Sequence, residues 1–123
     1  MSNASDYGEN EIADYLGANG APGAVANVYL KLHTGAPGEA GTANAATETT
    51  RQEATFDAAS GGAIALTATV TWTDVSTTET ITHVSAWDNS TAGNNLFWAA
   101  LASSVDLTAG DDLEITALTV TVA

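Results

Sequence analysis

From Ile64 to Thr73 the chain alternates without interruption: Ile64, Leu66, Ala68, Val70 and Trp72 against Ala65, Thr67, Thr69, Thr71 and Thr73. Side chains of an extended strand point alternately to opposite faces. This run therefore predicts one strand with a buried face and a Thr-coated, half-solvated one, as antiparallel sheets show. Other segments repeat the signal. Val28, Leu30 and Leu32 share one face of a strand and Tyr29, Lys31 and His33 the other. A shorter strand is expected over residues 51–58, with Ala54 and Phe56 inward. Strands at 80–87 and 95–101 are joined by the turn-rich Asp88-Asn89-Ser90-Thr91-Ala92-Gly93-Asn94. The last run, 113–122, changes phase: Leu113 and Ile115 are odd-numbered, whereas Leu118, Val120 and Val122 are even. One flat strand cannot bury both sets, so a bulge or break is expected near Thr116 to Leu118.

The helical period occurs only near the start. Asp6 is the expected N-cap, with Glu9 completing a capping box, and Ile12, Tyr15 and Leu16 fall on one face before Gly17 ends the helix. Residues 17–26 are then a connector. The fold expected is an all-β, antiparallel, jelly-roll-like β-sandwich with a short N-terminal helix. Residues 1–26 form the helix and connector and residues 27–123 the sandwich, a single domain overall. The strand pattern leaves the jelly-roll and immunoglobulin-like strand orders both open.

Charge excludes some functions. Two basic residues, Lys31 and Arg51, stand against 15 carboxylates in 123 residues, a formal net charge of −13. Two cations cannot build a phosphate-binding patch, which argues against nucleic acid and anionic membrane surfaces as partners. No apolar run approaches the roughly 20 residues a membrane span needs, and the start lacks a secretory-signal pattern. Self-repulsion on this scale fits an acidic mesophilic protein or a halophilic one, in which salt screens it. Cysteine is absent, so disulfides and thiolate metal sites are excluded. Asn3-Ala4-Ser5 and Asn89-Ser90-Thr91 match glycosylation acceptors, a pattern common by chance.

Candidate chemistry is sparse. His83 and Ser85 lie two apart on one strand face, but a catalytic pair also needs an orienting carboxylate and an oxyanion hole. Packing of His83 against Trp87, or a hydrogen bond within the sheet, is the expectation. Asp111, Asp112 and Glu114 could offer oxygen ligands to a hard cation, yet they lack the spacing of a calcium loop and read equally well as a turn. Gly35, Gly38 and Gly41 precede no helix and lack the lysine of a phosphate loop. Trp72, Trp87 and Trp98 could stack on sugars, although Trp72 and Trp98 alternate in phase with apolar neighbours and suit a core. No catalytic, cofactor-binding or metal-ligating residue is assigned, and no cofactor is expected.

One segment carries more. Residues Leu30 to Gly41, Leu-Lys-Leu-His-Thr-Gly-Ala-Pro-Gly-Glu-Ala-Gly, pose the question whether His33 and Glu39 grip a ligand or serve architecture. The pattern Leu-x-x-His-Thr-Gly-x-Pro-Gly-Glu-x-Gly, met here at Leu30, His33, Thr34, Gly35, Pro37, Gly38, Glu39 and Gly41, resembles a signature of small structural proteins of tailed-virus particles. The resemblance continues in order through Arg51-Gln52, Phe56, Ile81 to Asp88, Gly93 to Phe97 and Ala109 to Ile115, and it departs between Gly41 and Arg51. It implies a non-enzymatic virion component, either a tail-fibre or minor tail protein or a capsid decoration. Its partners would be copies of itself, as a trimer, and other virion proteins of the tail or the major capsid protein. Tyr29 and Trp87 are the candidate exposed contacts. A free carbohydrate- or ion-binding module is the other reading. The motif loop is expected to be architectural.

Overall fold

The computed structural model describes residues 3–20, 22–23 and 25–121. Among them run helix α1 (Asp6–Leu16) and strands β1 (Val28–His33), β2 (Gln52–Ala54), β3 (Ala63–Ala65), β4 (Val70–Trp72), β5 (Glu79–Trp87), β6 (Asn95–Leu107), β7 (Leu113–Ile115) and β8 (Thr119–Thr121). All ladders are antiparallel. One sheet has the order β2-β1-β5-β6, and the pairs β3-β8 and β4-β7 complete the sandwich. The all-β expectation, with one short helix, is met.

The core forms where the inward faces meet. Leu30 and Leu32 of β1, Ile81, Val84 and Ala86 of β5, and Phe97 and Ala99 of β6 cluster with Val70, Trp72, Leu113, Ile115, Leu118 and Val120. Burying each large side chain contributes about 1.5–3 kcal/mol. The chain is rich in Ala, so these few residues carry most of that term. Trp72 is enclosed and satisfies its indole by donating from Nε1 to the Thr50 carbonyl at 2.8 Å.

The phase change at the C-terminus appears as a break between β7 and β8, across residues 116–118. Val122 lies outside the described residues. The partner run departs from expectation: residues 64–73 are two short strands, not one. Leu66 donates its N–H to the Leu118 carbonyl and Val70 pairs with Ile115, so the two sides differ by one residue across the break. The surplus is absorbed by residues 67–69, which bend outward. Ala68 is therefore exposed, not buried. Thr67 turns to Thr55 instead, donating its N–H to the Thr55 carbonyl at 3.0 Å. One strand's phase defect has imposed a defect on its neighbour.

β6 runs past the expected end at Leu101. Ile81 pairs with Val105 but His83 pairs with Ala100, so residues 101–104 bulge opposite Thr82. Such a bulge also blunts a sheet edge. The strand expected over residues 51–58 shrinks to β2, with Phe56 beyond it in an isolated bridge to Leu66 and packed edge-on against Phe97 at 5.7 Å.

Segment Asn3–Ser5 seams the two layers. Asn3 N–H donates to the Thr121 carbonyl at 2.9 Å and Trp98 N–H donates to the Asn3 carbonyl at 3.0 Å. The Asn3 side chain accepts from Thr121 N–H at 3.0 Å and donates to the Trp98 carbonyl at 3.1 Å. Asn3 thus engages both edges, β6 and β8, with main chain and amide alike. Ser5, and not Asp6, caps α1: its Oγ accepts from Gly8 N–H at 3.1 Å and donates toward the carbonyls of Asn95 and Leu96. Gly17 ends the helix as expected, with its N–H on the Ala13 carbonyl at 2.8 Å.

Candidate functional site

The loop after β1 folds back over the outer face of the four-stranded sheet. Thr34 N–H donates to the Asn44 carbonyl at 2.9 Å and Ala46 N–H to the Leu32 carbonyl at 3.1 Å, closing its two ends together. Within it, Ala43 N–H reaches the Pro37 carbonyl at 3.0 Å and Gly41 N–H the Gly38 carbonyl at 2.9 Å. Pro37 and Gly41 are buried, whereas Thr34 and Glu39 stay exposed. A loop this heavily tied to itself is a packed element.

Under it lies a directed chain of hydrogen bonds. His33 has no exposed surface, and its Nδ1 lies 2.9 Å from the Ala43 carbonyl. A carbonyl only accepts, so Nδ1 carries the proton and Nε2 must accept. Nε2 lies 2.7 Å from Ser85 Oγ, which donates to it. Ser85 Oγ in turn accepts from Trp87 Nε1–H at 2.8 Å. Every polar atom in the sequence Trp87, Ser85, His33, Ala43 is therefore used in one direction. Burial lowers the His33 pKa below its ordinary value, outweighing the carbonyl contact with Ala43, and the charge of Lys31 lowers it further. The ring is neutral at pH 7, as the relay requires.

Arg51 closes the far end. Its guanidinium sits 4.2 Å over the Trp87 ring and donates at 2.8 Å to each of the Asn89 and Ala92 carbonyls. It fastens the β5–β6 turn over the indole, a geometry that a planar fork provides and lysine does not. Within that turn Asp88 accepts from Asn94 N–H at 2.8 Å. Asn95, at the start of β6, is 5% exposed and donates from Nδ2 to the Glu39 carbonyl at 3.1 Å. Gly41 makes room for it: its φ is +70°, and a Cβ there would lie 2.6 Å from the Asn95 side chain.

Glu79 holds the segment where the family resemblance breaks off. Its carboxylate accepts from Thr47 N–H at 2.9 Å, Glu48 N–H at 3.0 Å and Thr77 Oγ1 at 2.9 Å. Desolvation pushes its pKa up, but these hydrogen bonds prevail and the net shift is downward.

Two expectations hold, the hydrogen bond of His83 within the sheet and the turn at Asp111 and Asp112, and others change. Ser85 meets His33, not His83. His83 packs against Trp98, with centroids 6.1 Å apart, and its Nδ1 lies 2.7 Å from Thr82 Oγ1. Trp98 is half-buried on the outer sheet face and outside the core, because β6 buries Asn95, Phe97 and Ala99. Trp87 is only 7% exposed, so it is no contact surface; Tyr29 is half-buried. Asp111 and Asp112 close a turn, accepting from Thr108 N–H at 2.9 Å and Asp74 N–H at 2.8 Å. Among the described residues no group of three or more His, Asp or Glu is placed to hold a metal. Nor is any helix among them long and apolar enough to cross a membrane.

A serine 2.7 Å from a histidine invites a catalytic reading, and the geometry opposes it. Ser85 has no exposed surface, its Oγ already accepts from Trp87 Nε1–H, and His33 Nδ1 faces a carbonyl where a triad would place a carboxylate. What the arrangement does is lock β1, β5, the motif loop and the β5–β6 turn into one unit. Residues 3–123 match the family described as podophage GP4 fiber I protein gp80, and the chain belongs to that family. It is thereby a structural protein of a tailed-phage virion. No curated protein matches the chain.

Proposed function

We propose that this chain is a non-enzymatic part of the phage tail fibre and acts through protein–protein assembly, as a self-associated trimer joined to other virion proteins. The observation that carries it is the buried relay from Trp87 to Ala43, which commits the most distinctive residues of the chain to rigidity. Membership in a fibre protein family favours the tail over the capsid shell. A fibre built around an axis places several copies in equivalent positions, which is the basis for the trimer. No role is assigned to a catalytic, cofactor or metal residue.

Copy number tests the location. Quantitative protein analysis of purified virions, against the major capsid protein, should give about a few to tens of copies for a fibre and hundreds for a shell decoration. Light scattering coupled to size exclusion tests the trimer. A monomer at tens of micromolar in high salt would refute a self-standing oligomer, and absence from purified particles would remove the virion role itself.

A further inference from the structure

Helix α1 buries none of its residues. At about 3.6 residues per turn, Gly8, Ile12, Tyr15 and Leu16 share one side of it. That stripe begins in contact with the body, since a Cβ on Gly8 would lie 2.5 Å from the Leu96 carbonyl. It then runs off the body: Tyr15 is 59% and Leu16 77% exposed. Where helix and sandwich diverge, a groove of about 320 Å³ opens, lined among others by Ile12, Ile64, Leu96, Phe97 and Val120. Its walls are almost wholly apolar. Ile12 belongs to both, so stripe and groove adjoin, and Tyr15 and Leu16 are exposed beyond the groove among the described residues.

Charge says what can cover this surface. On the helix, Glu9 and Glu11 border the stripe on either side, Asp6 and Asp14 lie behind, and no basic residue is present. An occupant must bring cations to both rims. A second copy cannot: the chain has only Lys31 and Arg51, Lys31 is half-buried in β1, and Arg51 is spent on Trp87, Asn89 and Ala92. We infer that this surface docks an amphipathic segment of a different virion protein, with apolar side chains flanked by Lys or Arg. The inference rests on the virion reading above and names the chemistry of one partner. Self-association then uses other surfaces.

The intact chain is titrated, at low and high sodium chloride, with a designed Leu–Lys amphipathic helix and its Leu–Glu counterpart, binding being read by fluorescence anisotropy. The Leu–Lys helix should bind, the Leu–Glu helix should not, and salt should weaken the complex. The double variant Tyr15→Ser/Leu16→Ser should bind about tenfold or more weakly, as loss of two apolar anchors requires, with an unchanged melting midpoint. Equal binding by the variant, or binding blind to peptide charge, overturns the inference. A salt-promoted dimer that the same variant abolishes also overturns it, by making the occupant a second copy. In particles, the variant should be depleted relative to wild type, and equal incorporation would contradict the docking role. Absence of wild type from particles would remove the virion reading alone, since the peptide experiment stands without it.

Discussion

The loop from His33 to Ala46 and helix α1 are both short, and both lie outside the sandwich core. Yet the loop buries His33, Pro37, Gly41 and Ala46, whereas the helix buries none of its residues. In the loop, the imidazole, Pro37 and Gly41 are buried, and main-chain hydrogen bonds tie both ends to β1. On the helix, the largest apolar residues face outward. Distinctive sequence therefore marks the rigid part, while an ordinary amphipathic pattern marks the part left open for contact. Conspicuous residues can serve packing, and plain ones can carry the interaction.

The comparison breaks most readily at His33. Replacing it with Ala strips the Ala43 carbonyl of its donor and Ser85 of its acceptor while opening a cavity. The expected loss is about 3 kcal/mol or more, read from denaturant midpoints at constant slope. Gly41→Ala should come next, at about 2 kcal/mol, because a left-handed backbone and a clash with Asn95 combine there. A loss below about 0.5 kcal/mol in either variant would mean that the loop is not wired as described.

Acid should loosen the loop by the same route. The folded pKa of His33 lies below its ordinary 6.5, so the unfolded chain takes up the proton first. Its contribution is fully present above pH 6.5 and is lost as pH falls from there toward the folded value. Glu79, also lowered, adds a second loss that begins below its ordinary 4.5. Melting midpoints across pH should show the first decline in wild type and not in a His33→Ala variant. An identical pH profile in both would remove His33 from the cause.

Much of this was legible from the chain. Alternation gave the strands, and the switch from odd to even burial after Ile115 located the break at residues 116–118. What alternation could not give was the answering defect at residues 67–69, because Ala68 keeps perfect phase and only pairing with β7 and β8 displaces it. The extension of β6 was hidden by Ala102-Ser103-Ser104, small residues with no period. His33 and His83 could not be told apart by spacing: Ser85 is near His83 in sequence, but the β1–β5 ladder brings His33 across to it. Arg51 and Asn95 stood within the resemblance to virion proteins, and their roles emerge only when the β5–β6 turn and the loop meet.

The smallest expected effect lies on the helix. Tyr15→Ser/Leu16→Ser should leave stability within about 0.5 kcal/mol of wild type, because neither side chain is buried. A larger loss would show that α1 supports the fold and would narrow the contrast between the two regions.

Native-state hydrogen exchange tests that contrast most directly, because it reads both regions in one molecule. The amides of Thr34, Gly41, Ala43 and Ala46, bonded within the loop and to β1, should be protected to nearly the level of global unfolding. Those of α1 beyond its first turn should exchange through local opening at much lower free energy. Loop amides that exchange as fast as those of the helix would contradict an architectural motif and return that segment to the candidates for binding.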